Sequence, residues 1–170
     1  MKKFGIVVTT AALAILATTA VASAQMGVAV MWEQGGVVPV FALPITVGDG
    51  MVIQPVAAFE WVADDGPNPG SAFLLGLGIE KHMMEGDTRP LIGAQVAVSI
   101  NSPKVGDSYT NFGVGVFLGG TAKLADNVSL VGQWGPAITI VGEKGSPSGK
   151  SYATVSSQAS ITLRWWVFGN

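Results

Sequence analysis

Large apolar residues return at every second position through much of the chain. From Phe73 the odd positions are Phe73, Leu75, Leu77 and Ile79, and the even ones are Leu74, Gly76, Gly78 and Glu80. The alternation recurs at Ile92, Ala94, Val96, Val98 and Ile100 against Gly93, Gln95, Ala97 and Ser99. It recurs again at Phe112, Val114, Val116 and Leu118 against Asn111, Gly113, Gly115 and Gly119. A period of two belongs to a β-strand whose two faces meet different surroundings. Carried along the chain, it predicts eight strands near 26–33, 36–47, 51–62, 72–82, 89–100, 109–123, 128–141 and 151–168. Most are long for globular strands and reach the roughly 9–11 residues with which a tilted strand crosses a bilayer.

The connections alternate in character. Val47-Gly48-Asp49-Gly50 and Leu124-Ala125-Asp126-Asn127 carry the Gly, Asp and Asn of tight turns. Between them fall longer polar loops, Ala63 to Ser71, Asn101 to Ser108 and Gly142 to Lys150. That is the expectation for an antiparallel up-and-down meander between two unlike compartments. If the tight turns lie on the periplasmic side, both chain ends are expected there too, and the strand number is even.

Composition decides which face is wet. The chain has 170 residues, 49% hydrophobic and only 12% charged, with 23 Gly and no Cys. This is too apolar for a disordered segment and too weakly charged for an ordinary soluble surface. If the large apolar residues pointed inward, the outer face would lack the charge to meet water. They are therefore expected to face lipid, with the small and polar positions lining a lumen. Closure of the sheet satisfies every backbone N–H and C=O, as hydrocarbon demands. The fold class read from the sequence is all-β, an eight-stranded antiparallel up-and-down transmembrane β-barrel. Length favours one domain over a cofactor-plus-substrate pair. The 9 basic and 11 acidic residues leave no electrostatic footprint for nucleic acid.

The N-terminus reads as a targeting segment. Lys2 and Lys3 precede an apolar run from Phe4 to Ala20, and Ala22-Ser23-Ala24 matches a processing site. Residues 1–24 are thus expected to be a cleaved secretory signal peptide and 25–170 the barrel domain. Its loss removes two lysines, leaving seven basic against eleven acidic residues. An exported chain without cysteine forgoes disulfides, and also lacks the residue that lipoprotein attachment requires.

Two sets of candidate residues follow from the faces. On the outer face Trp32, Phe59, Trp61, Phe73 and Phe112 fall near the long-loop ends of their strands and Trp165 near the other end, as two aromatic girdles. On the inner face Gln54, Glu60, Glu80, Gln95, Gln133, Gln158 and Arg164 stand among glycines as a lumen polar network, joined by Asn111, Thr154, Ser156, Ser160 and Thr162. An eight-stranded barrel has room inside for side chains alone, so a packed polar plug is expected rather than a wide pore. A buried lone guanidinium costs several kcal/mol, so Arg164 requires a carboxylate. Strand direction puts Glu80 with Arg164 at the tight-turn end and makes it the favoured partner over Glu60.

The signal peptide, the run Gly113-Val-Gly-Val-Phe-Leu-Gly-Gly, the turn Leu124-Ala-Asp-Asn before Val128-Ser-Leu and the aromatic last strand give the chain a family likeness. It resembles the small outer-membrane barrels of Gram-negative bacteria of the OmpA transmembrane-domain and OmpX type. The resemblance implies outer-membrane lipid, lipopolysaccharide and the outer-membrane assembly machinery as partners, with an unidentified ligand open to the surface loops. Such barrels usually end on an aromatic residue. This chain continues from Phe168 to Gly169-Asn170, and by simple alternation Phe168 falls on the lumenal face.

Enzymatic and metal chemistry find little support. His82 is the one histidine and no cysteine is present, which excludes the usual zinc ligand sets. A lipid-A deacylase of this size resembles a hydrolase with a His-x-Ser pair, whereas Met83 and Met84 follow His82, which is expected at a turn near the membrane interface. Asp64-Asp65 are too few oxygens for a cation cage. The glycines from Gly113 to Gly120 lack the Lys-Ser/Thr and helix start of a phosphate loop. Gly132-Gln133-Trp134 resembles the lipocalin Gly-x-Trp, though in the seventh strand rather than the first. The reading is a non-enzymatic envelope or surface-interaction barrel without cofactor or metal. Two alternatives are a narrow small-solute channel gated by Arg164 with Glu80 or Glu60, and a soluble periplasmic lipocalin-like barrel with reversed faces.

Overall fold

The computed structural model describes residues 25–33, 40–48, 50–62, 70–146 and 149–168. The described residues form strands β1 (Met26–Glu33), β2 (Val40–Ala42), β3 (Ile45–Thr46), β4 (Met51–Val62), β5 (Gly70–His82), β6 (Thr88–Pro103), β7 (Tyr109–Ala125), β8 (Val128–Val141) and β9 (Tyr152–Phe168). One turn of 3-10 helix at Glu143–Gly145 lies between the last two. All neighbouring strands pair antiparallel in sequence order, and β9 returns to β1, closing the sheet.

Strands β2 and β3 share one stave of the wall. Both pair with β1 on one side and β4 on the other, and they are separated at Leu43-Pro44. The single strand expected over 36–47 is therefore two short pieces, because Pro44 has no N–H for the ladder; positions 36–39 lie outside the described residues. The remaining strands match their expected spans within three residues. Eight staves result.

The stagger can be followed from partner to partner. Starting at Ala29, the register passes through Ala42, Val56, Gly76, Ala97, Gly113 and Thr139 to Thr154. Ala29 itself pairs with Arg164, ten positions further along β9. Eight staves with a shear of ten tilt the strands by roughly 40°. The register between β1 and β9 shifts once, where Gly27 opposes Trp166 and Met26 opposes Phe168. Simple alternation to the chain end thus fails at Val167, where one extra residue enters the strand.

The tight-turn end is ordered by glycine. Val47 N–H donates to Met51 O (2.8 Å) and Met51 N–H to Gly48 O (2.9 Å), with Gly48 and Gly50 at φ of 54° and 70°, a region costly for other residues. Met83 N–H donates to Pro90 O at the next turn, and Asp126-Asn127 form the third. At Asp126, the hydrogen bond from Lys123 Nζ (2.9 Å) and its charge hold the carboxyl below its ordinary pKa.

The two faces are unlike, and the apolar one is outside. Along β7, Phe117 is 7% exposed while its neighbour Leu118 is 61% exposed. Val96, Val98, Ile100, Val114, Val116, Ile138 and Ile140 are all exposed on the outer wall, whereas Gln54, Glu80, Thr162 and Arg164 are buried inside. This is the reverse of a lipocalin-like barrel, so the soluble alternative does not have the faces it needs. An apolar wall of this extent far exceeds the patches that soluble monomers expose.

Candidate functional site

The barrel interior narrows to one layer of packed side chains near the tight-turn end. Arg164 reaches into it from β9, between Thr162 and the chain end, and is fully buried. Its Nη2 donates to Glu80 Oε1 of β5 (2.5 Å) and to Gln54 Oε1 of β4 (2.7 Å). Three sequence-predicted residues thus meet at one point from three staves. The strand tilt explains how: Gln54 and Gly78 are register partners, and Glu80 stands two positions, one inward step, further along β5.

Glu60 is not brought to this point. It lies six residues beyond Gln54 toward the long-loop end of β4, about 20 Å along the strand, and Arg164 makes its ion pair with Glu80. Gln95 Nε2 donates to Gln158 Oε1 (2.9 Å), forming a second bridge across the lumen between β6 and β9. Gln133 stands between them on β8, with Oε1 buried and without a hydrogen-bond partner. Thr154 donates to Thr139 O at 3.4 Å but is exposed, as is Ser156. These two belong to the upper, open part of β9 and not to the packed layer.

An apolar group completes the layer. Leu91, Phe117 and Val131 form a buried cluster from β6, β7 and β8. Phe117 can enter because Gly93 faces it: a Cβ at Gly93 would collide with the Phe117 ring. Gly135 serves the wall itself, since a Cβ there would run into the Val116 carbonyl of the adjoining strand.

His82 is the last residue of β5, beside the tight turn where it was expected, and its side chain points into the lumen and is 9% exposed. Its Nε2 stands 3.7 Å from Glu80 Oε2, too far for a hydrogen bond. The i, i+2 spacing of Glu80 and His82 puts both on the inner face. The strand predicted over 72–82 already reached this residue, and its alternation carried one step beyond Glu80 would have turned His82 inward.

Two cavities flank the layer. On the long-loop side a space of about 140 Å³ is lined by Gln95, Ser99, Asn111, Gln133, Thr139 and Gln158, with Gln54 and Glu80 at its floor. On the tight-turn side a space of about 270 Å³ is lined by His82, Arg89, Thr121, Lys123, Asp126 and Ser129. The first is large enough for several waters and the second for more.

The outer aromatic residues fall at two levels. Trp32, Phe59, Trp61, Phe73 and Phe112 are exposed toward the long-loop ends of their strands, and Trp165 is exposed near the other end. Asp64-Asp65 and residues 1–24 lie outside the described residues.

No family model matches the chain, and no curated protein matches it. Among solved structures it is similar to Neisserial surface protein A (NspA), an eight-stranded outer-membrane barrel, with a TM-score of 0.57 and 14% identity. The similarity covers 85% of this chain and 96% of that one. Identity so low speaks for a shared fold.

Proposed function

We propose that the chain is an outer-membrane barrel of the bacterial envelope, with a structural or surface-interaction role and a lumen closed by side chains. The observation that carries this reading is the inversion of its faces. Outward apolar strands are joined to a buried Arg164–Glu80–Gln54 network. The fold shared with a surface protein supports the same address. Residues 1–24 would then be the export signal, both ends of the mature chain would be periplasmic, and the long loops would face outward. Outer-membrane lipid, lipopolysaccharide and the assembly machinery are the partners this reading implies, with any further ligand meeting the loops.

Expression with the native N-terminus tests it. The protein should stay with the outer-membrane fraction after carbonate washing and migrate differently before and after boiling. Release into the soluble periplasmic fraction would overturn it.

One observation favours a second reading, a narrow gated channel. The packed layer has a polar cavity on each side, and Arg164 is its largest buried side chain, so re-pairing of Arg164 would open the polar part of the layer between the two spaces. Glu80, rather than Glu60, is then the residue that holds the gate closed. Planar-bilayer conductance that rises in Glu80→Ala over wild type supports this reading, and equal conductance in both removes it.

A further inference from the structure

His82 has so far no part in the packed layer, although it stands beside its carboxylate. The His82 backbone N–H donates to Gly50 O (2.8 Å), which ties the end of β5 to the turn before β4. Its side chain and that of Glu80, two positions away, share the inner face. The atoms that face each other, His82 Nε2 and Glu80 Oε2, are 3.7 Å apart, both buried and both without a hydrogen-bond partner. The other carboxylate oxygen, Oε1, is held by Arg164. Glu80 thus has one oxygen committed to β9 and one beside an imidazole of its own strand.

A proton changes what this pair can do. A neutral imidazole donates from one ring nitrogen, whereas a protonated one donates from both and carries a charge. Bringing 3.7 Å down to the length of a charge-assisted hydrogen bond takes a movement of about 1 Å. Imidazole is the side chain that takes up a proton between about pH 5 and 8. Glu80 lines the cavity on the long-loop side and His82 the cavity on the tight-turn side. The buried hydroxyls of Thr121 and Ser129, which have no protein partner, line that second cavity too. A space of that polarity and size admits water, which delivers the proton to the ring from the tight-turn side.

The charges around His82 leave the decision to Glu80 and Arg164. Arg89 of β6 and Lys123 of β7 line the same cavity, and so do Asp87 and Asp126 on the turns, two cations against two anions. Lys123 Nζ is bound to Asp126 (2.9 Å), and Arg89 Nε donates to Gly86 O. Thr46, Val52, Val128 and Ser129 bring no charge from β3, β4 and β8. What remains is one buried carboxylate between a permanent cation and a conditional one.

We propose that His82 is a proton site, filled from the tight-turn side, which makes it a second counter-ion of Glu80. Neutral His82 leaves the carboxylate to Arg164. Protonated His82 shares it, so the dependence of Glu80 on Arg164 weakens as the compartment at the tight-turn end acidifies. The device belongs to the packed layer and operates whether or not the barrel conducts.

The chain has a single histidine, so a labelled imidazole reports this site alone. In the mature protein in lipid nanodiscs, acidification to about pH 5.5 should bring out a slowly exchanging Nε2–H resonance, which Glu80→Gln should lack. A second measurement is urea unfolding of Arg164→Met in vesicles. The loss in its folding equilibrium constant relative to wild type should shrink by roughly tenfold from about pH 8.5 to about pH 6.5, as His82 neutralises the stranded carboxylate. One proton taken up over that range sets a ceiling of about 50-fold, once the half-protonated unfolded ring is counted. With His82→Gln added to both proteins, the loss should change by less than about twofold over the same range.

A histidine that does not titrate in this range, or a protonated ring whose Nε2–H exchanges freely, overturns the proposal. Equal shrinkage with and without His82 also overturns it, because the proton would then reside on Glu80. The imidazole measurement on wild type decides the matter even where Arg164→Met fails to fold.

Discussion

Removing the Glu80 carboxylate should destabilise the barrel far more than removing the whole ion pair. In wild type the Arg164 guanidinium is fully buried and Nη2 alone holds both Glu80 Oε1 and Gln54 Oε1. In Glu80→Leu the charge stays buried with one neutral acceptor. Stranding one member of a buried pair costs about 3–5 kcal/mol, because the remaining ion keeps its desolvation penalty and loses its counter-charge. Arg164→Met alone leaves the Glu80 carboxylate beside His82 and should cost a similar amount. The double variant Glu80→Leu/Arg164→Met leaves neither charge. Apolar replacements of a buried pair are often neutral or stabilising by about 1–4 kcal/mol, and Leu91, Phe117 and Val131 already provide an apolar neighbourhood.

The assay is urea unfolding of the mature protein in vesicles, followed by tryptophan fluorescence, as a double-mutant cycle. Strong coupling is the expected outcome, with the double variant more stable than either single one. Single variants within about 1 kcal/mol of wild type would show that water reaches the guanidinium and replaces the carboxylate. Additive single and double losses would refute the idea that the two charges are retained for each other.

The outer face offers a second check: Val116→Arg, midway along the exposed wall of β7, should cost about 2–4 kcal/mol in a bilayer, while Met51→Arg, at the tight-turn end of β4, should cost about 0–1. Equal and negligible effects of both, measured by the same unfolding assay, would mean that the wall meets water. Phe117→Ala should lose about 3–5 kcal/mol through the cavity it leaves, and a thiol-free fluorescent solute should then leak faster through the barrel in liposome efflux. Gly135→Val, whose Cβ has the Val116 carbonyl in its path, should fail to give the heat-shifted folded band, whereas Gly132→Ala, with open space at its Cβ, should give it.

The staves were legible because a membrane wall imposes one rule on each strand face, and period two reports it without interference. Val128–Val141 and Met51–Val62 come out with the expected bounds for that reason. The rule loses force where something other than lipid decides the residue. At Leu43-Pro44 the apolar alternation continues, yet proline removes the bonds that define a strand, so an unbroken pattern covers a broken stave. At Val167 one inserted residue changes the pairing, and no side-chain preference at Trp165-Trp166-Val167 marks it.

The lumen was harder to read, because its inner face answers to packing rather than to polarity. Leu91, Phe117 and Val131 are inward and apolar, against the expectation of a small or polar inner face. A layer that must exclude water around a buried ion pair needs volume more than hydrogen bonds. The glycines therefore have two distinct uses that composition alone cannot separate. Gly93 makes room for the Phe117 ring, and Gly135 lets two backbones approach. Arg164 was conspicuous because a lone charge on an inward face demands a partner, and strand direction was enough to prefer Glu80. Gln54 was one of many inward amides, and its place at the same guanidinium depends on the shear of ten, which only the pairing of β9 with β1 reveals. The general consequence is that the chemistry of a face can be read locally, whereas the height at which two faces meet is a property of closure.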